Sequence, residues 1–153
     1  MRRSLAAVSV VAALAGTLAV APPVAANQDS RTVKLDGNQE AQAADRDGRG
    51  TFTFTLTATQ LCYVLTVEGI APATAAHIHV GERGVAGPIV VGLETPTSGA
   101  SAGCITVAPA GTPDSTTVLT AEEFAAIQND PRAYYVNVHN ADFPGGAIRG
   151  QLK

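Results

Sequence analysis

The chain has no tryptophan, four phenylalanines and three tyrosines. Val, Ile, Leu and Ala must therefore fill most of any core. Beyond residue 26 no apolar run approaches the ~20 residues that a membrane-spanning helix needs. No glycine-rich loop runs from strand to helix in the spacing that cradles phosphate, which argues against nucleotide use. No pair of carboxylates stands out as an acid–base couple. Basic residues are few, 10 against 13 acidic. A nucleic-acid binder needs a basic patch to displace counterions, so nucleic acid is excluded as a partner. There is no Asn-x-Ser/Thr acceptor for glycosylation.

What is present begins with an export signal. Met1-Arg2-Arg3 gives a positive start, Leu5 to Val20 carries no charge, and Pro22-Pro23 breaks any helix. Val24-Ala25-Ala26 sets small residues at the −3 and −1 positions before Asn27, the layout that a signal peptidase reads. Residues 1–26 are thus expected to be removed, and 27–153 to form one extracytoplasmic domain with no further membrane span. Loss of Arg2 and Arg3 leaves that domain with a net charge of about −5, which favours solubility and decides little else. Cys62 and Cys104 are the only cysteines. In an oxidising compartment such a pair is expected to form a disulfide. It would close a loop of about 43 residues and stabilise the fold by ~4 kcal/mol in the chain-entropy model.

Period-two alternation dominates the domain. Phe52, Phe54 and Leu56 alternate with Thr, and Leu61, Tyr63, Leu65 and Val67 alternate with Cys62, Val64 and Thr66. That pattern predicts half-buried strands, joined here as a hairpin through Ala58-Thr59-Gln60. Further strands are expected at Thr32–Leu35, His77–Val80, Ile89–Leu93, Cys104–Val107, Ala133–His139 and Ala147–Leu152. The glycine-bearing stretches 81–88 and 99–103 read as loops. One helix is expected, opened by the capping box Thr120-Ala121-Glu122-Glu123 and closed before Pro131. The fold class is all-β: a Greek-key β-sandwich or barrel of about seven to eight strands with one short helix.

All three histidines, His77, His79 and His139, fall in strands. Ile78 and Val80 should face the core, which turns His77 and His79 outward. In the last-but-one strand, Tyr135, Asn137 and His139 should likewise turn outward. If the two strands are neighbours, three imidazoles come within reach of one copper or zinc ion. The plainer alternative is that each histidine only bonds to a nearby loop, such as 81–88. Gly99-Ala100-Ser101-Ala102-Gly103 matches the nucleophile elbow of esterases. That motif needs a strand before it and a helix after it, and a strand follows here, so it carries no catalysis. Asp45, Asp47 and Gly48 hint at a calcium loop but lack its spacing and closing Glu.

Two ordered motifs carry a family resemblance. One is Ala76-His77-Ile78-His79-Val80-Gly81, continuing through Gly84 and Gly87-Pro88-Ile89-Val90-Val91 to Leu93. The other is Tyr135-Val136-Asn137-Val138-His139-Asn140 with Pro144-Gly145-Gly146-Ala147-Ile148-Arg149-Gly150-Gln151-Leu152. With the opening Leu35-Asp36-Gly37-Asn38-Gln39-Glu40, they make the chain resemble the CHRD (chordin) domain family in its exported, single-domain bacterial form. The resemblance runs from about Thr32 to Leu152. It departs after Glu40, where Ala41-Gln42-Ala43-Ala44 replaces prolines, and at Ala147, where the family often has Glu. It implies an extracellular, non-catalytic β module, secreted or held at the cell envelope. Its partner would be an extracellular protein or glycan, met at the histidine-bearing face with Asn137 and Arg149; Arg149 has the alternative of a structural role, pairing with a carboxylate or capping loop carbonyls. No cofactor is implied, and copper or zinc at the histidines is the rival expectation.

Overall fold

A computed structural model describes residues 29–153; the expected signal peptide lies outside them. Eight strands follow in order: β1 (Arg31–Asp36), β2 (Arg49–Leu56), β3 (Gln60–Glu68), β4 (Ala73–Val80), β5 (Ile89–Leu93), β6 (Ala100–Thr106), β7 (Tyr134–Asn140) and β8 (Ile148–Gln151). One α-helix, α1 (Ala121–Asn129), stands between β6 and β7. All pairings are antiparallel, in the order β5-β4-β7-β8-β1-β2-β3-β6.

The chain builds this sheet as two four-stranded halves. β1, β2 and β3 form a meander with β6 added, and the hairpins β4–β5 and β7–β8 form the other half. The halves are joined by one register pair, Asp36 opposite Arg149. At the far side the Glu94 amide donates to the Tyr63 hydroxyl at 2.8 Å, and Ser101 Oγ donates to the Glu94 carbonyl at 2.7 Å. These bonds draw the exit of β5 towards β3 and β6, so the sheet curls into a nearly closed barrel with a sandwich-like interior.

The alternation read from the sequence fills that interior. Val33, Leu35, Phe52, Phe54, Leu61, Leu65, Ile78, Val136, Val138 and Ile148 are all buried. Helix α1 closes the barrel with Phe124 and Ile127. Its capping box is complete: Thr120 Oγ1 accepts from the Glu123 amide, and the Glu123 carboxylate accepts from the Thr120 amide. It stops at Asn129, two residues short of Pro131, as the proline requires.

Two boundaries differ from expectation. β4 begins at Ala73 because its first half pairs with β7 from Asn140 onward. The stretch 99–103 is not a loop: β6 starts at Ala100, and Ser101 lies opposite Leu65 of β3. Small residues carry no hydrophobic alternation, so the strand left no trace in the pattern. Ser101 is thus flanked by strand, on the barrel half that carries no histidine.

Cys62 and Cys104 are direct cross-strand partners on β3 and β6 and form the disulfide. The pair secures the edge strand β6. Replacing both cysteines by alanine should leave the far-UV circular dichroism unchanged and lower unfolding stability by about 4 kcal/mol, from the entropy of the released loop. Urea denaturation of the oxidised and variant proteins tests this. Equal midpoints would mean that the ladder alone holds β6.

Candidate functional site

Strands β4 and β7 are neighbours, with His77 opposite Asn137 and Ala75 opposite His139. Residues alternate across a strand, so His77, His79, Tyr135, Asn137 and His139 all project from the same outer face. This pairing brings the three imidazoles together. The nitrogens that they could offer a metal lie within 4.8 Å of one another. His77 Nδ1 and His139 Nε2 are 3.1 Å apart.

That outer face is not open to water. His79, Tyr135, Asn137 and Arg149 are all buried, and His77 and His139 are partly so. Loop 81–88 lies against His79, Tyr135 and Arg149, and Arg149 holds the loop in place. Its guanidinium donates to the Val85 carbonyl at 2.8 Å and to the Glu82 carbonyl at 2.7 Å. Gln151 Nε2 adds a bond to the Gly81 carbonyl at 2.7 Å. The guanidinium carbon also lies 3.3 Å from the centre of the Tyr135 ring. On the same ring His79 stacks nearly parallel, at 4.8 Å and 7°. Arg149 is therefore not a free surface group. A planar cation with five donors can bind two carbonyls and stack at once, which a lysine cannot.

The tautomers follow from the backbone. His79 Nδ1 is 2.9 Å from the Gly87 carbonyl, and His139 Nδ1 is 3.0 Å from the Pro144 carbonyl. A carbonyl only accepts, so each Nδ1 carries the proton and each Nε2 presents a lone pair. In the metal-free protein His77 Nδ1 then donates to His139 Nε2. Metal-binding histidines characteristically donate their second ring N–H to a carbonyl or carboxylate in this way. Gly87 is obligatory for the contact: a Cβ there would collide with the Val80 carbonyl.

Charge at the site is finely set. Burial, aided by the other two imidazoles, holds the His77 pKa down to about 4. Burial also lowers His79 and His139. All three are thus neutral at pH 7 and able to act as ligands. Glu40, in the turn after β1, comes over the same face. Burial pushes its pKa up to about 7, against the opposing pull of Arg149. Gly146, at a φ of 135°, makes room for that carboxyl, since a Cβ there would strike it. Among the described residues, four buried side-chain atoms have no hydrogen-bond partner: Glu40 Oε1, His79 Nε2, Asn137 Oδ1 and Asn140 Nδ2.

The donor set fits a borderline divalent metal. Two imidazole nitrogens on a tetrahedral ion at 2.0–2.1 Å stand about 3.3 Å apart, close to the His77–His139 separation. The three ligand nitrogens lie within 4.8 Å of one another, so a shared ion would require the rings to draw together by up to about 1.5 Å. Asp45 offers no such site, because its carboxylate caps the amides of Asp47 and Gly48.

A family comparison agrees with this architecture. The CHRD domain model matches residues 31–152. The chain belongs to the CHRD domain family. This is a non-enzymatic type of module, and its match covers every strand described above. Neither the curated proteins nor the solved structures compared with the chain gave a match.

Sequence reasoning placed His77, His79, His139, Asn137 and Arg149 in this CHRD domain but gave no role to Glu40, Tyr135 or the Gly87 carbonyl. Tyr135, an aromatic on the polar side of an alternating strand, was the one readable signal. Glu40 reaches the site through a turn, which no periodicity reports.

Arg149→Met should free loop 81–88. Trypsin should then cut after the exposed Arg83 faster than in the parent, with Arg149→Lys only partly protected. Equal cleavage rates would show that the clamp does not hold the loop.

The pKa shifts also fix a pH dependence. Three imidazoles depressed below 6.5 contribute stability that is full above pH 6.5 and lost as the pH falls towards 4. Glu40, raised from 4.5 to about 7, contributes the opposite way: fully below 4.5, and lost as the pH rises through 7. With three groups against one, the metal-free protein should lose stability on acidification from pH 6.5 to 4. Glu40→Gln removes the opposing slope and should steepen that loss. Thermal melts across this range read both, and a Tm that rose on acidification would contradict the assignment.

Proposed function

We propose that this CHRD chain is an exported, non-catalytic module that holds one copper(II) or zinc ion at His77, His79 and His139. The observation that carries the reading is the pair of backbone carbonyls, Gly87 and Pro144, that fix the protons of His79 and His139 on Nδ1. Both Nε2 lone pairs are left directed into one half-buried cluster. To join the other two as a ligand, His77, whose Nδ1 donates to His139 Nε2 in this structure, would carry its proton on Nε2 and present Nδ1. Imidazoles kept neutral by burial lose little to proton competition at pH 7.

Export is supported by the Met1-to-Ala26 signal pattern, by the Cys62–Cys104 disulfide and by the family. The described residues contain no helix long and apolar enough to cross a membrane. Catalysis is not part of the reading. The site is a holder, with its ligands braced by a clamped loop.

Calorimetric titration of the exported form with copper(II) and zinc tests it. One ion per chain should bind to the parent. The His77→Ala/His79→Ala/His139→Ala variant should bind none, while keeping its far-UV circular dichroism. Equal binding by the two proteins, or none by the parent, would leave the histidines as packing groups of the covered face. The role of the module would then fall to an extracellular protein or glycan partner.

A further inference from the structure

The three-histidine reading accounts for one of the four unpartnered buried atoms and leaves Asn137 unexplained. Asn137 is 1% exposed. It stands on β7 two residues before His139 and directly opposite His77 on β4. Its amide lies between the Glu40 carboxyl and the His79 ring, facing both. Asn137 Oδ1 and His79 Nε2 are both left without a hydrogen-bond partner.

The His79 proton is committed to the Gly87 carbonyl, so its Nε2 can only accept. The amide NH2 suits the Glu40 side, where it can donate to a carboxylate. The amide oxygen then turns to His79. While Glu40 is ionised, two lone pairs therefore face each other in a buried place, and neither can satisfy the other. Buried polar atoms in native folds are almost always satisfied. Two opposed acceptors call for a Lewis acid or a doubly donating water between them.

We infer that Asn137 Oδ1 is the fourth ligand of the ion held by His77, His79 and His139. The inference rests on the three-histidine reading and extends it to a metal class. Three imidazoles and one amide oxygen make an N3O set without sulfur. Such a set suits copper(II) and zinc and gives nothing to copper(I), which seeks thiolate or thioether ligands. It also disfavours calcium and magnesium, which require mostly oxygen. Asn137 further ties the ion to the turn after β1, since Glu40 lies at the other end of the amide.

The test compares copper(II) affinity and the copper(II) electron paramagnetic resonance spectrum in the parent, Asn137→Ala and Asn137→Asp. Asn137→Ala should weaken binding by about tenfold or more and change the spectrum. Asn137→Asp keeps an oxygen in place and should bind at least as tightly as the parent, with a spectrum shifted by the charged ligand. If the alanine variant fails to fold, the near-isosteric aspartate variant decides alone. Parent-like affinity and spectrum in the variants would overturn the inference and leave the three-histidine site standing, with a water between Asn137 and His79. Failure of the parent itself to bind copper would remove both. Copper(I) binding as tight as copper(II) would also overturn the N3O assignment.

Discussion

Arg149 is where the structure converges. Its backbone makes the one register pair that joins the two halves of the sheet, opposite Asp36. Its side chain leaves that seam and secures loop 81–88 through two short carbonyl bonds. It also stacks on Tyr135, which stacks in turn on His79. A buried guanidinium is costly unless its donors are satisfied. Here the satisfaction comes from loop carbonyls, the Val85 carbonyl and the Glu82 carbonyl, the latter also accepting from the Val85 amide. The loop and the cation each remove the cost of burying the other. Burial lowers the Arg149 pKa, while Tyr135 and Glu40 raise it.

From that clamp follows the second feature of the fold, a polar layer laid over an apolar barrel. The β4–β7–β8 region presents Val, Ile and Leu inward and His, Tyr, Asn, Arg and Gln outward. In most antiparallel sheets such an outward face meets water. Here it is covered by the 81–88 loop and by the turn carrying Glu40. Hydrogen bonds between side chains and backbone, rather than side-chain packing alone, decide its geometry. His79 and His139 are each oriented by a carbonyl, and each of those carbonyls lies in a glycine- or proline-bearing turn. This arrangement keeps the imidazoles preorganised and uncharged. It also explains why the disulfide lies elsewhere. The Cys62–Cys104 bridge secures the opposite half, where the ladder ends in an edge strand and the polar side-chain bonds are cross-strand pairs such as Thr51–Thr66 and Gln60–Thr106.

As a member of the CHRD family the chain carries a module whose fold alone does not dictate a ligand. What the site adds is local: neutral imidazoles, tautomers set by the main chain, and an amide with an idle oxygen. These properties belong to side chains spread over more than sixty residues of sequence. They meet only because the second hairpin returns alongside the first.

The sequence by itself determined the elements. Alternation in β2, β3 and β7, the Thr120–Glu123 capping box and the stop before Pro131 are local signals, set by backbone geometry and side-chain period, and the structure follows them closely. It also separated the two faces of β4 and β7 correctly, so the histidines share a side. It failed where no period exists: in β6, built of small residues, and in the extent of β4. Only the tertiary structure decided that β4 and β7 are neighbours, that the outward face is roofed, and that Arg149 is buried rather than offered to a ligand. Glu40 and the Gly87 and Pro144 carbonyls entered the site the same way. Strand order, loop cover and hydrogen-bond partners are long-range matters, fixed by which surfaces find each other when the chain closes. A pattern of period two carries no information about them.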